Sequence, residues 1–126
     1  MVAAFCFALL QNRQPRINGD GLQSRDFTYV EDVVQGVLGA LDGTTTGCEI
    51  VNLAYGQSCT VRDLLDQLAR VAGRTVQPLY APPRPGDVRH SLADVTRAKS
   101  ILAFSPAVGF AEGLKRTFDW YRSQYS

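Results

Sequence analysis

Apolar residues recur along this chain with helical period in some blocks and in short strand-like runs in others. Val2 to Leu10 is apolar on every side, which predicts a helix over residues 2–11 that expects burial all round, since a surface helix carries one apolar stripe. Such a helix calls for a further element packed on its other face. Gln14-Pro15 breaks it, and Arg16-Ile17-Asn18 predicts a short strand. Arg25 to Tyr29 alternates polar and aromatic residues and predicts a second strand at 27–29. Val33, Val34, Val37, Leu38 and Leu41 then fall at i, i+1, i+4, i+5 and i+8, the stripe of an amphipathic helix, with Gly43 as its stop.

The second half continues in the same manner. Thr44 to Gly47 predicts a loop, and Glu49-Ile50-Val51-Asn52-Leu53 is the most strand-like run in the chain. Thr60-Val61-Arg62-Asp63 reads as a capping box ahead of Leu64, Leu65, Leu68 and Val71, a helix ended by Gly73. Residues 75–80 predict a strand, and Pro82 to Gly86 an extended segment that cannot be helical. Asp94 is a helix N-cap for a short helix through Leu102, and Phe110, Leu114, Phe118 and Tyr121 mark a last helix. The alternation predicts an α/β chain with one domain over residues 1–126 and no repeats.

Composition narrows the function classes. At 126 residues the chain is too short for a dinucleotide-binding domain together with a substrate domain, so it holds one of them. A net charge of +1 argues against bulk attraction to nucleic acid or an anionic membrane. Cys6, Cys48 and Cys59 have neither metal-ligand spacing nor a disulfide framework, which suits a reducing cytoplasm. The apolar start is too short to span a membrane and lacks the features of a secretory signal. His90 being the only histidine argues against a His-based metal site or triad, and a loop or core hydrogen bond is expected of it.

Two segments carry candidate chemistry. Gly19-Asp20-Gly21 permits positive φ and close approach of a ligand to the backbone, and Arg25 follows with a planar fork of donors suited to phosphate oxygens. The glycine spacing is a near miss to a dinucleotide fingerprint, but a strand follows it where a helix N-terminus is needed. A hairpin turn with a surface arginine is the alternative reading. In Arg84-Pro85-Gly86-Asp87, flanking prolines stiffen the backbone around Arg84, and Asp87 can accept hydrogen bonds from sugar hydroxyls. Two arginines on separate rigid loops suit a diphosphate gripped from two sides; an arginine–aspartate pair tying down a loop is the competing reading. Arg13 and Arg16 are expected in solvent, and Asp66 and Arg70 are spaced for an i,i+4 pair.

Taken together, Ile17-Asn18-Gly19-Asp20-Gly21, Gln23 to Val30, Asn52-Leu53-Ala54 and Arg84 to Asp94 resemble the extended short-chain dehydrogenase/reductase family, with Phe104-Ser105-Pro106 and Gly113-Leu114 in the same pattern. The likeness is to the C-terminal, substrate-binding portion of NAD-dependent epimerases and dehydratases, and is strongest to the UDP-hexose and UDP-N-acetylhexosamine 4-epimerases. It implies the small substrate-binding domain of that fold without the N-terminal Rossmann half. It also implies that Arg25 and Arg84 bind the nucleotide diphosphate, that Asp87 lies near the ribose, and that the backbone of Ile17 and Asn18 lies beside the uracil.

The same resemblance points to absences. The family's chemistry uses a tyrosine four residues before a lysine, acting on NAD held by an N-terminal glycine-rich loop. Here Lys99 and Lys115 are preceded at that distance by Val95 and Ala111. No catalytic, cofactor-binding or metal residue is therefore expected in this chain, NAD belonging to the full-length family. Three functions follow as expectations: the UDP-sugar-binding half of a 4-epimerase, inactive alone; a free-standing nucleotide-sugar-binding module; or a self-associating interaction protein that has kept the fold. A homodimer or larger, or an N-terminal Rossmann domain, is the expected partner, with the first helix at the interface.

Overall fold

Leu64, Leu65 and Leu68 are wholly buried, and the core is assembled around the helix that carries them. The computed structural model describes residues 1–43 and 47–125. The elements are α1 (Val2–Leu10), β1 (Arg16–Asn18), β2 (Ser24–Asp26), α2 (Val30–Asp42), β3 (Ser58–Thr60), α3 (Val61–Val71), β4 (Leu79–Ala81), α4 (Thr96–Leu102) and α5 (Phe110–Tyr125). The class is α/β as the sequence predicts, but the described strands make two separate pairs instead of one layer. β1 runs parallel to β4 with Ile17 opposite Tyr80, and β2 runs antiparallel to β3 with Arg25 opposite Cys59.

α3 starts where its cap dictates. Thr60 Oγ1 accepts from the Asp63 amide at 3.0 Å and donates to the Asp63 carboxylate at 2.6 Å, so two otherwise open groups at the helix start satisfy one another. Its apolar face meets α1 through Phe5, Cys6 and Leu9 and meets α5 through Leu114 and Phe118. Each fully buried leucine contributes about 1.5–3 kcal/mol of transfer free energy. Gly73, at φ 66°, turns the chain out of the helix as expected.

α1 is buried at Phe5, Cys6 and Leu9, and Phe7 packs edge-on against Tyr121 and Tyr125 of α5, with ring centroids 5.2 and 4.9 Å apart. Ala4 is exposed, and Ala3 and Ala8 are half-buried. The larger exposed apolar face belongs to α2. Val30, Val34, Val37, Leu38 and Leu41 are 47–75% exposed. Glu49 to Leu53 is not a strand, because no other described strand lies beside it, and Ile50 is 77% exposed. α2 meets that segment at Gly36, where an added Cβ would come within 2.6 Å of Leu53.

Smaller corrections have local causes. The second strand is at 24–26, not 27–29, because the polar residues Ser24 and Asp26 are the ones that pair with β3, while Phe27 turns inward to Phe110. The strand expected at 75–80 is confined to 79–81, where β1 is there to receive it. Val95 holds the N-cap position of α4, while the Asp94 carboxylate accepts from the Thr96 amide at 2.9 Å. Asp66 pairs with Arg62, one turn earlier, and not with Arg70. Gly43 ends α2 in an extended conformation, and residues 44–46 of the expected loop lie outside the described residues. No helix of the described residues is long and apolar enough to cross a membrane.

Candidate functional site

The short strands serve mainly to bring two loops together. β1 leads into the Gly19-Asp20-Gly21 turn, whose glycines take φ of 82° and 80°, a conformation that costs other residues energy. The turn is pinned at both ends: the Gly19 amide donates to Ala81 O at 2.8 Å, and the Arg62 amide at the start of α3 donates to Gly21 O at 3.0 Å. β2 then carries Arg25. The proline-rich loop after β4 returns alongside β2, where the Ser24 amide donates to Arg89 O and the Ser91 amide donates to Ser24 O, at 2.9 and 3.1 Å. Ser24 Oγ and His90 Nδ1, 2.9 Å apart, close the junction, the structural role expected of the histidine.

Ion pairs reinforce that junction. Arg89 makes a two-pronged contact to Asp20 at 3.0 and 2.8 Å, and this guanidinium, with the Leu22 amide behind it, holds the Asp20 carboxyl below the usual carboxylate range. Arg25 is fixed more tightly. Its Nη2 donates to Asp87 Oδ1 at 2.6 Å and its Nη1 to Ser24 O at 2.7 Å. The two sequence readings of the arginine-bearing loops thus meet: an arginine–aspartate pair does tie the loops, and its arginine is Arg25.

All five residues singled out in the sequence, Ile17, Asn18, Arg25, Arg84 and Asp87, line one cleft of about 340 Å³. That volume lies at the low end of the range for small-molecule sites. Arg84 is exposed and lines the cleft, and among the described residues its side chain has no hydrogen bond or ion pair. Two polar lining residues were not anticipated. Arg16, exposed as expected, also lines the cleft from β1, giving it three arginines against one aspartate. Gln23, two residues before Arg25, is buried in its wall. Its place inside the Gly21-to-Arg25 block was the available signal. A smaller cavity of about 80 Å³, beside Phe27 and Phe110, has no charged side chain in its lining.

This geometry, a glycine turn and a proline-stiffened loop presenting arginines to one cleft, is what the comparisons with known proteins can be set against. Residues 2–117 match the family model described as GDP-mannose 4,6 dehydratase. The chain belongs to that family, and the fold is that of the C-terminal portion of extended short-chain dehydrogenase/reductase epimerases. Within it, the chain is 37% identical over 124 residues to UDP-glucose 4-epimerase of Mycolicibacterium smegmatis, covering 98% of this chain and 39% of the relative. It is 34% identical to UDP-glucuronate 4-epimerase of Thermodesulfobacterium geofontis, covering 89% and 34%. The Thermotoga maritima UDP-glucose 4-epimerase, solved with UDP-glucose, superposes with a TM-score of 0.93 at 38% identity, over 99% of this chain and 40% of that one. The UDP-glucuronic acid 4-epimerase of Bacillus cereus, solved with UDP-glucuronic acid and NAD, gives 0.94 at 26% identity, over 98% and 40%. The chain therefore spans about two fifths of the length of the relatives it matches.

Proposed function

We propose that this chain is the nucleotide-sugar-binding portion of a UDP-sugar 4-epimerase, and that its own residues hold the UDP group. The observation that carries this reading is that Arg25 and Arg84, far apart in sequence, share one cleft with Asp87. Arg25 is held in place before any ligand arrives, so little side-chain entropy remains to be lost on binding a phosphoryl oxygen. Arg84, on a loop stiffened by Pro83 and Pro85, supplies the second fork. Asp87 shares its carboxylate between Arg25 and the position of a ribose hydroxyl. The backbone of Ile17 and Asn18, at the inner edge of the cleft, takes the base.

Binding of this kind serves catalysis from a distance. Holding the nucleotide keeps the sugar in reach of the reacting groups while the intermediate turns, and the energy comes from a part of the substrate that does not react. In the full-length family, bound NAD supplies the hydride acceptor. The Tyr-x-x-x-Lys pair of that chemistry does not occur in this sequence, so the chain alone is expected to turn over no UDP-sugar. The exposed apolar face of α2 and the unpaired segment at 49–53 support a role beside a second body of the fold. The occupant that suits them is the N-terminal dinucleotide-binding half, whose open sheet offers both a strand edge and an apolar surface.

Isothermal calorimetry tests this with UDP, a UDP-hexose and NAD titrated into the intact chain. UDP and the UDP-hexose are expected to bind weakly and NAD not to bind. Arg25→Ala or Arg84→Ala is expected to weaken UDP at least tenfold, an order-of-magnitude loss for a charge-assisted contact. No heat from UDP at millimolar concentration would overturn the assignment and favour the interaction-protein reading.

A further inference from the structure

The glycine turn holds both ends of the loop that carries Arg84 and Asp87. At the near end the Gly19 amide donates to Ala81 O at 2.8 Å, and Pro83 lies 3.7 Å from where a Cβ on Gly19 would stand. At the far end Asp20, the next residue of the turn, receives both prongs of the Arg89 guanidinium, at 3.0 and 2.8 Å. Asp20 is itself fixed, because its Oδ1 also accepts from the Leu22 amide at 2.9 Å. Consecutive residues of one turn thus clasp the span from Pro82 to Val88, and a loop held at both ends has fewer conformations to lose when it binds.

Two features set this pair apart from the other contacts of the loop. Among the described residues, the side chains of Pro82 to Val88 make one tie, from Asp87 to Arg25 at 2.6 Å. Those are groups that the nucleotide engages for itself on the proposed reading of the cleft, on which this inference rests. Asp20 and Arg89 stand outside the residues lining the main cleft, so their contact persists when the cleft fills. Arg89 also acts from its backbone, its carbonyl accepting from the Ser24 amide at 2.9 Å and from Arg25 Nη1 at 3.4 Å. One residue therefore links the glycine turn, the strand bearing Arg25 and the loop bearing Arg84. We propose that Asp20 and Arg89 are positioning residues, a clasp that sets the spacing of Arg25 and Arg84 for a diphosphate without touching it. The two side chains are about half exposed, so the clasp contributes modestly, as surface ion pairs do.

Calorimetric titration of UDP and UMP into the wild-type chain, Asp20→Asn, Arg89→Gln and the double variant tests this, with thermal melts to follow folding. Asp20→Asn keeps an acceptor for the Leu22 amide and Arg89→Gln keeps the backbone junction, so each removes little besides the ion pair. Each single substitution is expected to weaken UDP about threefold to fivefold, the upper range for a surface ion pair, and to leave UMP within about twofold, since a monophosphate does not span both arginines. The double variant is expected to lose no more than either single one, as two groups acting together do. Arg89→Lys, which keeps the charge but not the two-pronged fit, is expected to fall between and carries the test if the neutral variants do not fold. UDP and UMP weakened alike would mark the pair as structural only, and losses that multiply in the double variant would separate the two residues. Either result overturns the proposal, as does a UDP affinity unchanged in every variant. A wild type that binds no UDP removes the nucleotide-binding reading itself, and the clasp with it.

Discussion

α3 and α2 carry comparable apolar stripes, and the molecule treats them in opposite ways. Leu64, Leu65 and Leu68 of α3 are fully buried, while Val34, Val37, Leu38 and Leu41 of α2 are about half exposed or more. The difference lies outside both helices. α3 has α1 and α5 against it; α2 has α4 near one side, and the segment at Gly36 and Leu53, but no layer across its stripe. Helical periodicity thus identifies a face that wants cover without saying whether this chain supplies the cover.

That contrast is best broken by mutation on both sides. Leu65→Ala is expected to cost about 2–5 kcal/mol in chemical denaturation, whereas Leu38→Ala, measured at a concentration low enough for the chain to be monomeric, should change stability by less than about 0.5 kcal/mol. Comparable losses at the two sites under those conditions would show that α2 is covered within the monomer. Next comes Asp32, the exception on α2. It is 3% exposed and accepts from the Ala107 amide at 2.8 Å and the Val108 amide at 3.3 Å, anchoring the start of the helix to the loop before α5. Asp32→Asn should cost about 1.5–3 kcal/mol, in the range for hydrogen bonds to a charged group; an unchanged denaturation midpoint would remove this anchor from the account.

Smaller effects concern the thiols and the uncovered face. Burial pushes the Cys6 thiol up to about 11, and burial, with Asp63 adding to it, pushes Cys59 up to about 11. A raised folded-state pKa gives stability that is complete below the unfolded value near 9 and is lost as pH rises toward 11. A decline in stability across that window is expected, shallower in Cys6→Ala and shallower again when Cys59→Ala is added. A slope unchanged by both substitutions would contradict the burial of these thiols. Finally, the chain by itself is expected to pair through α2. Light scattering should report a dimer or larger that reverts to monomer in Leu38→Glu; a monomeric wild type at high concentration would contradict this.

The sequence made legible what depends on local chemistry. The cap at Thr60, the stop at Gly73 and the bounds of α1 lie close to where propensity and periodicity put them, and Phe110, Leu114, Phe118 and Tyr121 all fall on α5. What it could not carry depended on partners. Glu49 to Leu53 has strand composition, but a strand exists only beside another, and none of the described strands lies beside it. The cover that Phe7 of α1 finds comes from the aromatic end of α5, more than a hundred residues away in sequence. Arg25, Arg84 and Asp87 were visible as chemistry, yet their convergence required the backbone junction at Ser24. Arg16, expected only in solvent, and Gln23, named only within the block that carries the resemblance, were given no site role because their importance lies in where β1 and the glycine turn place them.

The central claim is that two guanidinium groups on separate loops bind one diphosphate. It is tested most directly by measuring how much more tightly UDP binds than UMP, in the wild-type chain and in Arg84→Ala, at matched ionic strength. The account predicts a clear preference for the diphosphate that largely disappears in the variant. A wild type that binds UMP as well as UDP, or a preference that survives the loss of Arg84 intact, would contradict it.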